Sequence, residues 1–292
     1  MLNIAFVING ENVKERYRAV EANTRLLRLL NKDCMINLVL SGSAKELGVN
    51  IKLFDHIYEA REDNDNAISF LAKTLPLIQG DNILYLDENL FSFTPIHDAV
   101  ARNLTSGVYI SKNVLDFRAH NIDTATTWNA QQLMSRHGWP IVSTKCIFLN
   151  KDNKSISFFK AVEECSLAWQ SIGTEISDGA MKELTLDNVI SFVCQTNEDE
   201  CYKTDILNYR NFSKRDFARD SNWVNTDWYN WLDIWWVSRG NPPDIIVSGW
   251  VARGNPHLRI ENFRQQGLIY LSGNYIEKVE EWLEKISPYP KM

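Results

Sequence analysis

GDNILYLDENLF, residues 80–91, is the stretch on which the reading of this chain turns. A turn at Gly80-Asp81 releases an apolar run, the most strand-like in the protein. That run ends abruptly in Asp87, Glu88 and Asn89. A buried strand finished by two acids and an amide gathers oxygen donors at one point. Hard divalent cations such as Mg²⁺ and Mn²⁺ take such donors and commonly bridge to phosphate oxygens. The plainer reading of the tripeptide is a strand ending in a polar turn, and the surrounding chain has to decide between the two.

Outward from this stretch the first 120 residues alternate regularly. NIAFVI (3–8) predicts a first strand closed by Asn9-Gly10, followed by a helix in KERYRAVEANTRLLRLLN. INLVL (36–40) predicts a second strand ended by Ser41–Ser43, and a shorter extended piece lies in 51–58. A helix is expected over 65–78, N-capped by Asp63 or Asn64. Pro95 opens a further expected helix, and GVYI (107–110) a strand. Beyond, IVSTKCIFL (141–149) reads as a strand, 155–170 and 186–195 as helices, and NYIEKVEEWLEKI near the end as an amphipathic helix. Strand and helix in this rhythm predict an α/β fold with a mostly parallel central sheet flanked by helices. Ligands of such sheets bind at the carboxyl ends of strands. The residues to watch are therefore Asn9, Ser41–Ser43, Asp87–Asn89 and Ser111–Lys112.

Composition bounds the possibilities. The chain has 292 residues, 45% of them hydrophobic, enough to bury a large core and to exclude disorder as its main state. With 31 Lys and Arg against 37 Asp and Glu it is no polycation built to coat DNA. Five Cys at irregular spacing, without C-x-x-C, argue against a zinc ribbon and favour a reducing, cytoplasmic setting. The N-terminal MLNIAFVINGEN reads as a strand rather than a signal peptide, and no apolar run is long enough for a membrane span. There is no G-x-G-x-x-G, Walker A loop, H-E-x-x-H or G-x-S-x-G.

Segment 203–264 differs from the rest. It holds six of the ten Trp and carries nine Lys and Arg against seven Asp and Glu. Arg210, Lys214, Arg215 and Arg219 interleave with Tyr209, Phe212, Phe217 and Trp223. Aromatic faces stack on bases or sugars while Arg and Lys meet phosphates, so Arg210, Lys214, Arg215 and Trp223 are candidate acceptor contacts. The competing reading is core: Trp228, Trp231 and Trp235 stand at helical core spacing.

Tyr85-Leu86-Asp87-Glu88-Asn89 resembles the Y-L-D-x-D signature of the GT-A nucleotide-sugar glycosyltransferases, which likewise follows an N-terminal strand by some 80–100 residues. STKCIFLNKD (143–152) is similar to that family's acceptor-side strand, and TLDNVISFV (185–193) to a helix opening with an acid near the donor sugar. The resemblance covers about residues 3–195. It implies a donor half in 1–125 and an acceptor half, with the aromatic-rich region, in 126–292. It implies a nucleoside-diphosphate sugar as donor and Mn²⁺ or Mg²⁺ on Asp87 and Asn89, with His257 as a further ligand. Asn9, Gly10, Asp65, Asn66 and Lys73 would meet the nucleotide or sugar. Asp187 would contact the donor sugar or act as the general base an inverting enzyme needs; in LTLDN it reads equally as a helix N-cap. The third motif position is Asn89 where the family has Asp, so charge is missing there. Phage enzymes that glycosylate hydroxymethylated DNA bases perform this class of reaction, which makes such a base the favoured acceptor. Two alternatives stay open: a non-catalytic nucleic-acid-binding protein using 203–264, and a glycosyltransferase-like protein with weakened catalysis.

Overall fold

The computed structural model describes residues 2–10, 12–31, 33–60, 66–92, 96, 100, 104–111, 142–172, 185–197, 200–204, 207, 209–212, 268–271, 276–277, 279–280 and 283–284. The first part of the chain runs β1 (Leu2–Ile8), α1 (Val13–Leu30), β2 (Met35–Ser41), the short α2 (Ala44–Leu47), β3 (His56–Ala60), α3 (Ala67–Thr74), β4 (Asn82–Leu86) and β5 (Leu90–Ser92). Then come β6 (Val108–Ser111), β7 (Ser143–Asn150), α4 (Asn153–Leu167), α5 (Leu186–Thr196), β8 (Cys201–Thr204), β9 (Tyr209–Phe212) and β10 (Leu268–Leu271).

Seven strands form the central sheet in the order β3-β2-β1-β4-β7-β6-β8. All pairs are parallel except those made by β7, which runs antiparallel to both β4 and β6. The expected mixed α/β architecture is thus present. β1 is buried at every residue, as an unbroken apolar strand with both faces covered should be. One face packs Ile4, Phe6, Leu38, Leu84 and Phe148 against Tyr17, Val20 and Leu27 of α1. The other packs Val7, Ile83, Tyr85, Ile147 and Leu149 against α3, α4 and α5. β7 inserts between β4 and β6, so a single sheet runs across residue 125.

Local chemistry moved several boundaries. Asn66, rather than Asp63 or Asn64, caps α3: its side chain accepts from the Ile68 and Ser69 amides at 3.1 and 2.9 Å. α3 stops at Thr74, and Pro76 turns Leu75–Leu77 into a 3₁₀ turn. Residues 51–53 form another 3₁₀ turn under the Asn50 side chain, which delays the third strand to 56–60. α4 starts earlier than expected because Asp152 and Ser155 form a capping box. Residues 82–91 are not one strand. Asp87 breaks the run by accepting the Asn89 amide on its side chain and the Leu90 amide on its carbonyl, at 3.0 and 2.9 Å. The chain then leaves the large sheet as β5, which heads a small second sheet, β5-β10-β9.

Gly107 precedes β6 at φ +78, and a Cβ there would lie 2.8 Å from the Glu200 carbonyl, so the β6–β8 approach requires glycine. Toward the C-terminus, helical residues 276–277, 279–280 and 283–284 match the expected amphipathic helix. Buried Glu280 receives the Arg18 Nε of α1 at 2.8 Å. Among the described residues no helix is long and apolar enough to cross a membrane. No disulfide joins any of the five Cys. The expected helix from Pro95 and the Trp-rich run lie largely outside the described residues.

Candidate functional site

The order β3-β2-β1-β4 reverses direction between β1 and β4, so their carboxyl ends flank a topological switch point. Asn9 and Gly10 emerge from β1 at this point, and Asp87 to Asn89 emerge from β4. Asn9 is buried, and its Nδ2 donates to the Ala67 carbonyl at 2.8 Å, tying the end of β1 to the start of α3. Gly10 has φ +72 with nothing within 4 Å of the place a Cβ would take. The backbone there turns beside open space, as a close-approaching ligand requires.

Arg16, in the first turn of α1, organises the edge. Its Nε and Nη2 donate to the two oxygens of Glu88 at 2.8 and 3.2 Å. Nη1 donates to the carbonyl and side-chain oxygen of Asn9 at 2.6 and 3.3 Å, and Nη2 to the Val7 carbonyl at 3.3 Å. Burial by itself would lower the basicity of this guanidinium, but the bonds and charge of Glu88 outweigh it and leave the pKa raised. Arg16 therefore stays charged and latches the β1 exit to the β4 exit.

Asp87 is 8% exposed. Its Oδ1 takes the Asn89 amide, and its Oδ2 takes Lys145 Nζ at 2.7 Å. The two residues are also joined through the backbone, the Asp87 amide donating to the Lys145 carbonyl at 2.8 Å. Lys145 comes from the start of β7, which meets the end of β4 because those strands run antiparallel (Leu86 opposite Cys146). Burial first, then the charges of Asp87 and Glu88, push the neighbouring Tyr85 hydroxyl far above its ordinary pKa.

The preceding residue of β7, Thr144, brings in the carboxylate of Asp187. Asp187 Oδ1 accepts the Thr144 amide at 2.9 Å and also the Thr144 hydroxyl. Asp187 is not the N-cap of α5; Thr185 is, accepting the Asn188 amide at 3.2 Å. With the cap supplied two residues earlier, Asp187 reaches back to the sheet edge. Consecutive residues of β7, Thr144 and Lys145, thus hold Asp187 and Asp87 along one edge.

The remaining candidates divide. Asn66 is near this edge, but its oxygen caps α3 and its Nδ2 donates to the Ser166 carbonyl at 3.3 Å. Lys73 belongs elsewhere: it stands in the last turn of α3, away from the end that meets Asn9, and pairs with Glu163 of α4 at 3.4 Å. Arg210 lies on β9 opposite Ile269 of β10. Asp65, Lys214, Arg215, Trp223 and His257 lie outside the described residues.

The donor set at Asp87 suits a divalent cation poorly. Both Asp87 oxygens are engaged, one by an ammonium, and both Glu88 oxygens are engaged by Arg16. Asn89 adds no charge. Among the described residues these two acids stand against two bases and leave no net negative charge, where a dication needs net negative ligands. Among the described residues no group of three His, Cys, Asp or Glu side chains could hold a metal.

Arg16 and Lys145 escaped the sequence reading. Lys145 left a trace, as a charge inside the apolar strand pattern STKCIFL. Arg16 left none, being one of several charges in KERYR.

No family model matches the chain, and no curated protein matches it in sequence. Solved structures do resemble it. The galactosyltransferase LgtC, in complex with donor and acceptor sugar analogs, superposes with a TM-score of 0.51 at 9% identity, over 99% of this chain and 98% of LgtC. The glycosyltransferase GlyE of Streptococcus pneumoniae TIGR4 gives 0.51 at 11% identity over 96% of this chain; the chain spans 59% of the length of GlyE. At such identities the likeness is one of fold: the central sheet and its flanking helices have the GT-A arrangement.

Proposed function

We propose that this protein transfers a sugar from a nucleoside-diphosphate sugar to an acceptor hydroxyl. The observation that carries the reading is the edge itself. Asn9-Gly10 and Asp87–Asn89 leave the sheet at its switch point, Lys145 sits on Asp87, and the neighbouring Thr144 holds Asp187. The nucleotide would lie along the Asn9-Gly10 exit, with its diphosphate toward Asp87 and Lys145.

In the transfer, the bond from sugar C1 to the β-phosphate oxygen breaks and the diphosphate leaves with the electron pair. The acceptor oxygen bonds to C1. Its proton passes to Asp187 if the configuration inverts, or to the departing diphosphate if it is retained. Thr144 holds Asp187 Oδ1, and Oδ2 would take the proton of an incoming hydroxyl. A fixed cation beside the leaving group stabilises charge that develops only as the bond breaks.

We assign the donor half to residues 1–125 and the acceptor half to 126–292, in a cytoplasmic setting that suits five Cys outside any disulfide. The basic and aromatic composition of 203–264 favours a hydroxymethylated DNA base as acceptor.

Thermal melts with a panel of nucleoside diphosphates test the donor reading, since a ligand that binds only the folded state raises Tm. At least one diphosphate should raise it, and Asp87→Asn should reduce the shift. No shift with any of them, beside salt-sensitive DNA binding, would leave the nucleic-acid-binding alternative standing. Incubating hydroxymethylated DNA with mixed nucleotide-sugars and weighing the nucleosides tests the acceptor.

A further inference from the structure

We propose that the Lys145 ammonium, seated on Asp87, is the cation that meets the donor diphosphate, so that this protein binds and uses its donor without a divalent metal. The inference rests on the transferase reading above.

Three observations carry it. Lys145 Nζ stands 2.7 Å from Asp87 Oδ2, and the pair is largely buried, at 28% and 11% side-chain exposure. A dication seeking Asp87 would have to displace an ammonium already in contact with it. Second, the pair is built in rather than incidental. The bond from the Asp87 amide to the Lys145 carbonyl fixes the two backbones, and the antiparallel β4–β7 register brings the residues together. Third, Glu88 does not substitute as a ligand, because Arg16 grips both its oxygens. The acids that would charge a metal site are each matched by a base from a separate element: Arg16 from α1 and Lys145 from β7.

The chemistry suits the task. An ammonium offers three N–H donors in rotatable positions and binds phosphate as a compact point charge. It can hold Asp87 and a phosphate oxygen together, with the carboxylate keeping it charged and aimed. Asn89 then follows naturally: its place in the motif no longer has to supply a charge. Its backbone amide, not its side chain, is what the turn uses.

Calorimetric titration of the full chain with the nucleoside diphosphate that gives the largest melting shift tests this, with EDTA in one arm and Mn²⁺ in the other. Affinity should agree between the arms within about twofold, and donor hydrolysis should proceed in EDTA. Lys145→Met should lower diphosphate affinity about tenfold or more, the weight of one charge-assisted hydrogen bond. It should leave affinity for the unphosphorylated nucleoside unchanged, a result that misfolding would not give. Lys145→Arg should retain most of the diphosphate affinity. Binding by the wild type that requires Mn²⁺ overturns the inference and leaves the transferase reading intact. No diphosphate binding in either arm overturns both.

Discussion

Replacing Arg16 by Met should unlatch the carboxyl edge while keeping the aliphatic stem. The guanidinium makes five hydrogen bonds, two of them to the Glu88 carboxylate at 2.8 and 3.2 Å. Its loss strands a carboxylate that is 13% exposed and removes a donor from the Val7 and Asn9 carbonyls. Removing one partner of a fully buried ion pair costs about 3–5 kcal/mol. The Arg16 side chain is 26% exposed, so water and salt recover part of that; the expected cost is about 2–3 kcal/mol. Glu88→Gln keeps shape and one acceptor and should cost about 1 kcal/mol. The double variant should be less destabilised than the sum by at least about 1 kcal/mol, because the two side chains are in direct contact. Urea unfolding of the four proteins, read from midpoints at constant m, measures the cycle. Strict additivity, or an Arg16→Met cost below about 0.5 kcal/mol, would show that the latch holds nothing together.

Three further outcomes are expected. Burial alone would raise the Asp152 pKa, but bonds from the Ser155 amide, the Ser106 hydroxyl and the Gly107 amide hold it below the ordinary carboxylate value. The stability this contributes is full above the unfolded value, about 4, and is lost as pH falls through the folded value. Asp152→Asn keeps a side-chain acceptor for the cap but removes the titrating charge, and it should flatten the acid limb of a stability–pH curve measured by urea unfolding. Gly107→Ala forces a Cβ to 2.8 Å from the Glu200 carbonyl at φ +78, and its urea midpoint should fall by the equivalent of more than about 1 kcal/mol. Tyr17→Phe removes the acceptor of the buried Asn50 amide, bonded at 2.7 Å, and should cost about 1–2 kcal/mol by the same assay. The wild-type Tyr17 hydroxyl, pushed by burial up to about 12, should stay protonated in a phenolate absorbance titration well past pH 10.

Much of this architecture was legible because apolar runs have few other uses. The β1, β2 and β4 segments and the second half of β7 are mostly hydrophobic stretches, as strands covered on both faces need to be. Boundaries moved where one polar side chain outcompeted the pattern: Asn66 seized the cap of α3, and Asp87 folded the chain over itself. Within the site, Asp87 and Asp187 were readable as acids placed after a strand and at a helix start. Their partners were not: Lys145 reaches Asp87 across 58 residues of sequence and Thr144 reaches Asp187 across 43, through a register that only the assembled sheet defines, and Arg16 reaches Glu88 across 72. Lys73 shows a complementary limit: a lysine on a helix declares its charge but not its face, and this one pairs with Glu163.

The small sheet has a consequence for how recognition could diversify. β9 and β10 lie side by side in parallel, Tyr209 opposite Leu268, and β10 is stitched to β5 directly after the Asp87 turn. The chain therefore leaves from β9 after residue 212 and re-enters on the adjacent β10 at residue 268, two posts in the sheet that β5 opens after the Asp87 turn. Lengthening such an excursion adds little closure entropy, since that term grows only logarithmically. Insertions or exchanges between the posts would leave the seven-stranded frame and its charge pairs as they are while changing what is presented to them. Anchored at such posts, the span between them would serve as an interchangeable cassette, replaced without rebuilding the frame that carries it.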